Sequence, residues 1–145
     1  MYSHLLVPIS GDGITKKFLK EVANLAKKSG AQITLVYISD PLPPEVNIEV
    51  MPAYTVSSAI HKKACEEFAK RLFKKAKSQF GSGAIVNTCH LFHPNVFDGI
   101  IEAAKKNRAD VIVMASHKRR GLERIFMGSN THAVILHTSL PVLVI

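Results

Sequence analysis

The run His4–Ile38 reads HLLVPISGDGITKKFLKEVANLAKKSGAQITLVYI, and its three parts follow different periods. His4 to Ile9 is a short apolar run broken by Ser10, Gly11, Asp12 and Gly13, the pattern of a buried strand entering a loop. From Ile14 to Lys28 the apolar residues Phe18, Leu19, Val22, Ala23, Leu25 and Ala26 recur at helical spacing, and Ser29-Gly30 supplies a stop. Ala31 to Ile38 is apolar and β-branched along much of its length, as a strand covered on both faces should be.

The alternation continues outward from this unit. Pro41 to Tyr54 holds four prolines and no clean period, which predicts a long surface excursion. Ser57 to Phe80 sets Ile60, Ala64, Phe68, Leu72, Phe73 and Ala76 against lysines and glutamates, a long amphipathic helix ended by Gly81 and Gly83. Ala84 to Phe92 reads as a strand, Asn95 to Asn107 as a helix after Pro94, and Asp110 to Ala115 as a strand. After a polar loop from Ser116 to Gly121, a helix at Ser129 to His137 leads to a last strand, Leu140 to Ile145. Pro141 there suits an edge or a strand start.

Strands alternating with helices predict an α/β fold: one doubly wound five-stranded parallel sheet with helices on both faces. The length of 145 residues, with no internal repeat or linker, suits one domain spanning 1–145. Ligands of such sheets sit beyond the carboxyl ends of the strands where the strand order reverses, so loops 10–13, 39–54 and 115–130 are the places to look.

Composition narrows the function. Apolar residues make up 47% of the chain and aromatic ones 7%, with no Trp, which suits a Val/Ile/Leu/Ala interior. The apolar runs are too short to cross a bilayer, so a soluble cytoplasmic protein with no membrane partner is expected. Cys65 and Cys89 have no CxxC spacing and read as reduced structural thiols. Nineteen basic against eleven acidic side chains give a net charge of +8, favourable to loose association with phosphates, nucleic acid or anionic surfaces. The lysines are dispersed along helices, as in Lys16, Lys17, Lys20, Lys27 and Lys28, without interleaved aromatics, so no specific nucleic-acid recognition is expected.

The seven histidines form no HExxH or HxH pattern, and no metal site is expected. Neither a GxSxG elbow nor a GxxxxGK[ST] loop occurs, so no catalytic residue is named.

The opening HLLVPISGDG, the closing IVMASHKRRGLERIFMGSNTHAVILHTSLPVLVI and the elements between them resemble the universal stress protein family over essentially the whole chain. That resemblance implies a Rossmann-like fold of the adenine nucleotide alpha hydrolase type. It also implies a stress-response module holding ATP or AMP, and a homodimer in which the closing strands, Leu140 to Ile145, meet.

Nucleotide-binding members of the family carry a glycine, two residues, a second glycine, nine residues, then glycine with Ser or Thr. Here those places hold Ala115, Lys118 and Gly128-Ser129. The spacing is kept and the last pair is present, while both leading glycines are replaced. Glycines in such a loop let backbone N–H groups approach phosphate oxygens closely, so Lys118 either narrows the cradle or offers its ammonium to a phosphate. Ser129 is expected to cap the following helix, whose amino end favours an anion.

The family's acidic residue after the first strand falls at Ser10, with Asp12 two residues on as a substitute. Pro8 at that strand end is counted with the nucleotide-binding residues, its alternative role being to shape the strand end, and Val36 on the second strand is placed by the resemblance at the adenine pocket. His117, Lys118, Arg119 and Arg120, with Ser116, form the basic loop expected at the phosphates. Three readings remain open at this point: a nucleotide- or anion-binding module, a dimeric interaction protein that has lost nucleotide binding, and a slow ATP-hydrolysing enzyme.

Overall fold

The structure is a computed structural model describing residues 1–10, 14–41, 51–118, 125–126 and 128–145, with the backbone alone described at 51–57, 117–118 and 125–126. Five parallel strands form the main sheet: β1 (His4–Pro8), β2 (Gln32–Ser39), β3 (Val86–Phe92), β4 (Val111–Met114) and, last in the chain, β7 (Val142–Val144). Their spatial order is β3-β2-β1-β4-β7, so the chain steps outward from β1 through β2 to β3, then returns to build β4 and β7 on the other side. The order therefore reverses between β1 and β4.

Alternation along the strands sends side chains to two cores. Leu5, Val7, Ile33, Leu35, Val111 and Val113 face helices α1 (Lys16–Ser29) and α2 (Met51–Lys77), where Phe18, Leu19, Val22, Ala69 and Phe73 meet them. Leu6, Val36, Ile112 and Met114 face α3 (Val96–Lys106) and α4 (Ser129–His137), packing on Ile100, Ala103, Ala104 and Val134. Full burial of each large side chain contributes roughly 1.5–3 kcal/mol, which explains the apolar reading of β1 and β4.

The helix ends follow local chemistry. Thr15 accepts a hydrogen bond from the Phe18 N–H at 3.1 Å to start α1, and Gly30, with φ at 68°, closes it in the left-handed conformation.

Helix α2 begins at Met51, which corrects the expected start at Ser57 and the end of the expected excursion over Pro41 to Tyr54 at 51–54; residues 42–50 of that excursion lie outside the described residues. Pro52 lies in the first turn, where its missing N–H has no intrahelical acceptor to lose. The helix also ends at Lys77, before the expected Phe80, because Gln79 and Phe80 turn back onto Ala76 and Lys77. Within the expected polar loop lies β5 (His117–Lys118), which pairs antiparallel with β6 (Ile125–Phe126) beyond it.

At the amino end of the sheet, Asp110 ties β1 to β4. Its carboxylate accepts from the Ser3 N–H and hydroxyl at 2.8 and 2.7 Å and from the His4 N–H at 3.0 Å. Burial alone would raise its pKa, but these hydrogen bonds prevail and hold it below the usual carboxylate range. His4 lies 2.7 Å from the Thr34 hydroxyl, linking β1 to β2, and burial lowers its pKa against the opposing pull of Asp110. Burial likewise lowers the pKa of His90 against Glu66.

A histidine with a lowered folded pKa binds its proton more readily in the unfolded chain, so its contribution to stability falls as pH drops below about 6.5. The depressed Asp110 acts in the same direction at lower pH. Urea denaturation should show stability declining from pH 7 toward pH 5, with a shallower decline in His4→Gln and a still shallower one in His4→Gln/His90→Gln.

Gly99 lets α3 lie close on the end of β2, since a Cβ there would lie 2.9 Å from Ile38 Cγ2 and 3.1 Å from His93 Cβ. Gly99→Val should lower unfolding free energy by about 2 kcal/mol, also read by urea denaturation.

Candidate functional site

Where the strand order reverses, the carboxyl ends of β1 and β4 part and leave a cavity of about 240 Å³. Pro8, Ile9 and Ser10 form its β1 side, and Met114 and Ala115 its β4 side. Ile14, ahead of α1, and Val96 and Ile100 of α3 give it apolar walls. Gly128, Ser129, Asn130 and Thr131 bring the amino end of α4 to its rim.

That helix end has no side-chain cap among the described residues. Gly128 is the N-cap, with an extended backbone at φ −62° and ψ 159°, and no side chain caps the first turn. The correction to the expected Ser129 cap is therefore one position: Ser129 is the first helical residue. The first intrahelical bond after the cap runs from His132 N–H to Gly128 O, so the N–H groups of Ser129, Asn130 and Thr131 have no intrahelical acceptor. The first turn carries no acidic residue, and none lines the cavity among the described residues. Three donors and the positive end of a helix dipole beside apolar walls suit an anion with an apolar body attached.

Of the residues singled out in the sequence, Pro8, Ser10, Ala115, Gly128 and Ser129 come together around this cavity. Ser116 turns away, its N–H donating to Ile145 O at 2.7 Å beyond the end of β7. Val36 is fully buried in the α3/α4 core, and it meets the site only through its carbonyl, which accepts from the Ile9 N–H at 2.8 Å. Lys118 lies on β5, paired with Ile125. Asp12, Arg119 and Arg120 lie outside the described residues.

Among the described residues, Arg108 and Gly30 have positive φ, and neither Ala115 nor Lys118 does. Replacing the two family glycines at these places therefore entails no backbone strain there.

Sequence reasoning missed Ile9, Ile14, Val96, Ile100 and Met114, because apolar residues on strands and helices look like core. Asn130 and Thr131 were within reach: they follow Gly128-Ser129 directly and share its first turn.

The fold and cleft define a class: a doubly wound α/β protein with a helix amino end at its switch point. The chain belongs to the universal stress protein family, whose sequence model matches residues 1–145. It is similar to Universal stress protein MJ0531 of Methanocaldococcus jannaschii, at 29% identity over 150 residues, covering 100% of this chain and 82% of that protein. It is also similar to the solved structure of the hypothetical protein MJ0577, with a TM-score of 0.75 and 25% identity over 100% of this chain and 96% of the other. The universal stress protein of Archaeoglobus fulgidus, solved in complex with dAMP, aligns with a TM-score of 0.59 and 20% identity over 99% of this chain and 97% of that one.

Proposed function

We propose that the cleft binds an adenine nucleotide, ATP or AMP, and that its occupancy sets which partners the protein meets in a stress response. The observation that carries this reading is the open amino end of α4, with three N–H groups free of intrahelical acceptors beside a cavity at the switch point. The phosphates would lie against Gly128 and Ser129, with Ala115 and the backbone of Lys118 on the chain that leaves β4. The adenosine part would extend toward Pro8 and Ser10 along the apolar wall. The dAMP held by the Archaeoglobus fulgidus relative supports an adenine nucleotide over a bare anion.

The same reading takes two copies of the chain to meet along Leu140 to Ile145. Strand β7 is at the sheet edge and its residues are only half-buried, which leaves a row of edge N–H and C=O groups to be paired. Light scattering on the eluted protein should report a dimer, and Val144→Lys should shift it to a monomer.

The substitutions at Ser10, Ala115 and Lys118 favour a second reading, a dimeric interaction protein whose nucleotide site has lapsed. Calorimetric titration of ligand-free protein with ATP, AMP and pyrophosphate separates the two. On the nucleotide reading, ATP or AMP binds in the micromolar range. Ser129→Pro removes one of the three donors, and proline is well tolerated at the first position of a helix, so affinity should fall about tenfold while stability stays within about 0.5 kcal/mol. Binding of pyrophosphate alone would make the cleft a general anion site. Binding that appears only in Lys118→Gly would mark a lapsed nucleotide site.

A further inference from the structure

Each helix of this sheet runs against the strands it connects, so the helices' carboxyl ends gather at the amino end of the sheet, opposite the cleft. Lys27 and Lys28 close α1, Lys74, Lys75 and Lys77 close α2, and Lys105 and Lys106 close α3, with Arg108 just beyond. Taken one helix at a time, these cations offset the negative end of a dipole. The topology brings them onto a single surface. All are exposed, and none forms an ion pair with a described carboxylate. Asp110 is at this end too, but its carboxylate is occupied by Ser3 and His4.

Large apolar side chains are exposed at the same end. Tyr2 precedes β1, Ile85 precedes β3 and Leu136 lies in the last turn of α4, with exposures of 41%, 65% and 65%. Between the ends of α3 and α4 a recess of about 220 Å³ is lined by Lys105, Arg108 and His137 and by the hydroxyl residues Thr138 and Ser139.

We propose that this end of the molecule docks on the anionic face of a lipid bilayer. The lysines meet headgroup phosphates, the recess receives one such phosphate, and Tyr2, Ile85 and Leu136 enter the headgroup layer. Cations interleaved with exposed apolar side chains select this partner: a nucleic-acid duplex gives an isoleucine nothing to be buried in, whereas a membrane surface rewards both kinds of contact. No helix among the described residues is long and apolar enough to cross a membrane, so the contact is peripheral. The expectation of no membrane partner, drawn from the lack of a spanning segment, does not bear on a contact of this kind. Docked this way, the cleft at the other end stays open to its ligand.

Sedimentation of the full chain with vesicles tests the proposal, using phosphatidylcholine alone and phosphatidylcholine mixed with phosphatidylglycerol. The protein should sediment with the mixed vesicles and stay in solution with the neutral ones. Lys74→Glu/Lys75→Glu should lower partitioning at least tenfold, and Ile85→Ser severalfold. Lys62→Glu/Lys63→Glu makes the same charge change twelve residues earlier on α2, about 18 Å away, and should have a far smaller effect. All these positions are exposed, and circular dichroism confirms that each variant is folded. Equal losses from the two charge-matched pairs would reduce the effect to net charge and overturn the proposal. So would Ile85→Ser partitioning like the parent, or capture of labelled duplex DNA by a protein that ignores the mixed vesicles.

Discussion

Parallel pairing requires that the chain be carried back from the end of each strand to the level where the next begins, and here helices do that work. This constraint makes the two ends of the sheet chemically opposite. Helix amino ends, with unpaired N–H groups, collect where the strands finish; helix carboxyl ends, with unpaired carbonyls, collect where the strands start. Cleft and cationic surface both follow. The cleft opens because the strand order reverses between β1 and β4, and α4 begins beside that opening. The lysines are at the other end because a helix carboxyl end favours them.

Much of this architecture was legible in the sequence, since burial on both faces turns central strands into plain apolar runs. His4–Ile9, Ala31–Ile38 and Asp110–Ala115 read correctly because β1, β2 and β4 have neighbours on both sides and helices above and below. The failures have physical causes. Pro52 looked like a breaker, although a proline in a first turn has no hydrogen bond to break. His117–Lys118 and Ile125–Phe126 are two-residue strands, too short for any period to register.

The candidate site was legible only where it uses unusual residues. Gly128-Ser129 and Ala115 were placed by the resemblance to the family's glycine motif, and both lie on the cavity. The walls did not stand out, because Val96 and Ile100 on α3 follow the same helical spacing as Ala103 and Ala104 deeper in the core. Val36 is the reverse case. It occupies a central strand next to β1, but alternation turns its side chain into the α3/α4 core and leaves only its carbonyl near the site.

The replaced glycines weigh less against an anion site than their absence from the family pattern suggests. A glycine is needed for a positive φ or for room beside a ligand. The first need is absent at Ala115 and Lys118, neither of which has a positive φ. The second concerns the loop side of the cleft alone. The donors at the start of α4 belong to a different element, and they depend on Gly128 keeping its extended conformation and on the lack of any side chain reaching back to cap the turn. A cradle made of two independent parts can lose close backbone approach on one side while the other still presents its N–H groups, and the replacement of a glycine by Lys118 adds a positive charge to the chain on the altered side. Affinity then depends more on charge and less on shape, so discrimination among phosphate-bearing ligands should be weaker than in a cleft with both glycines.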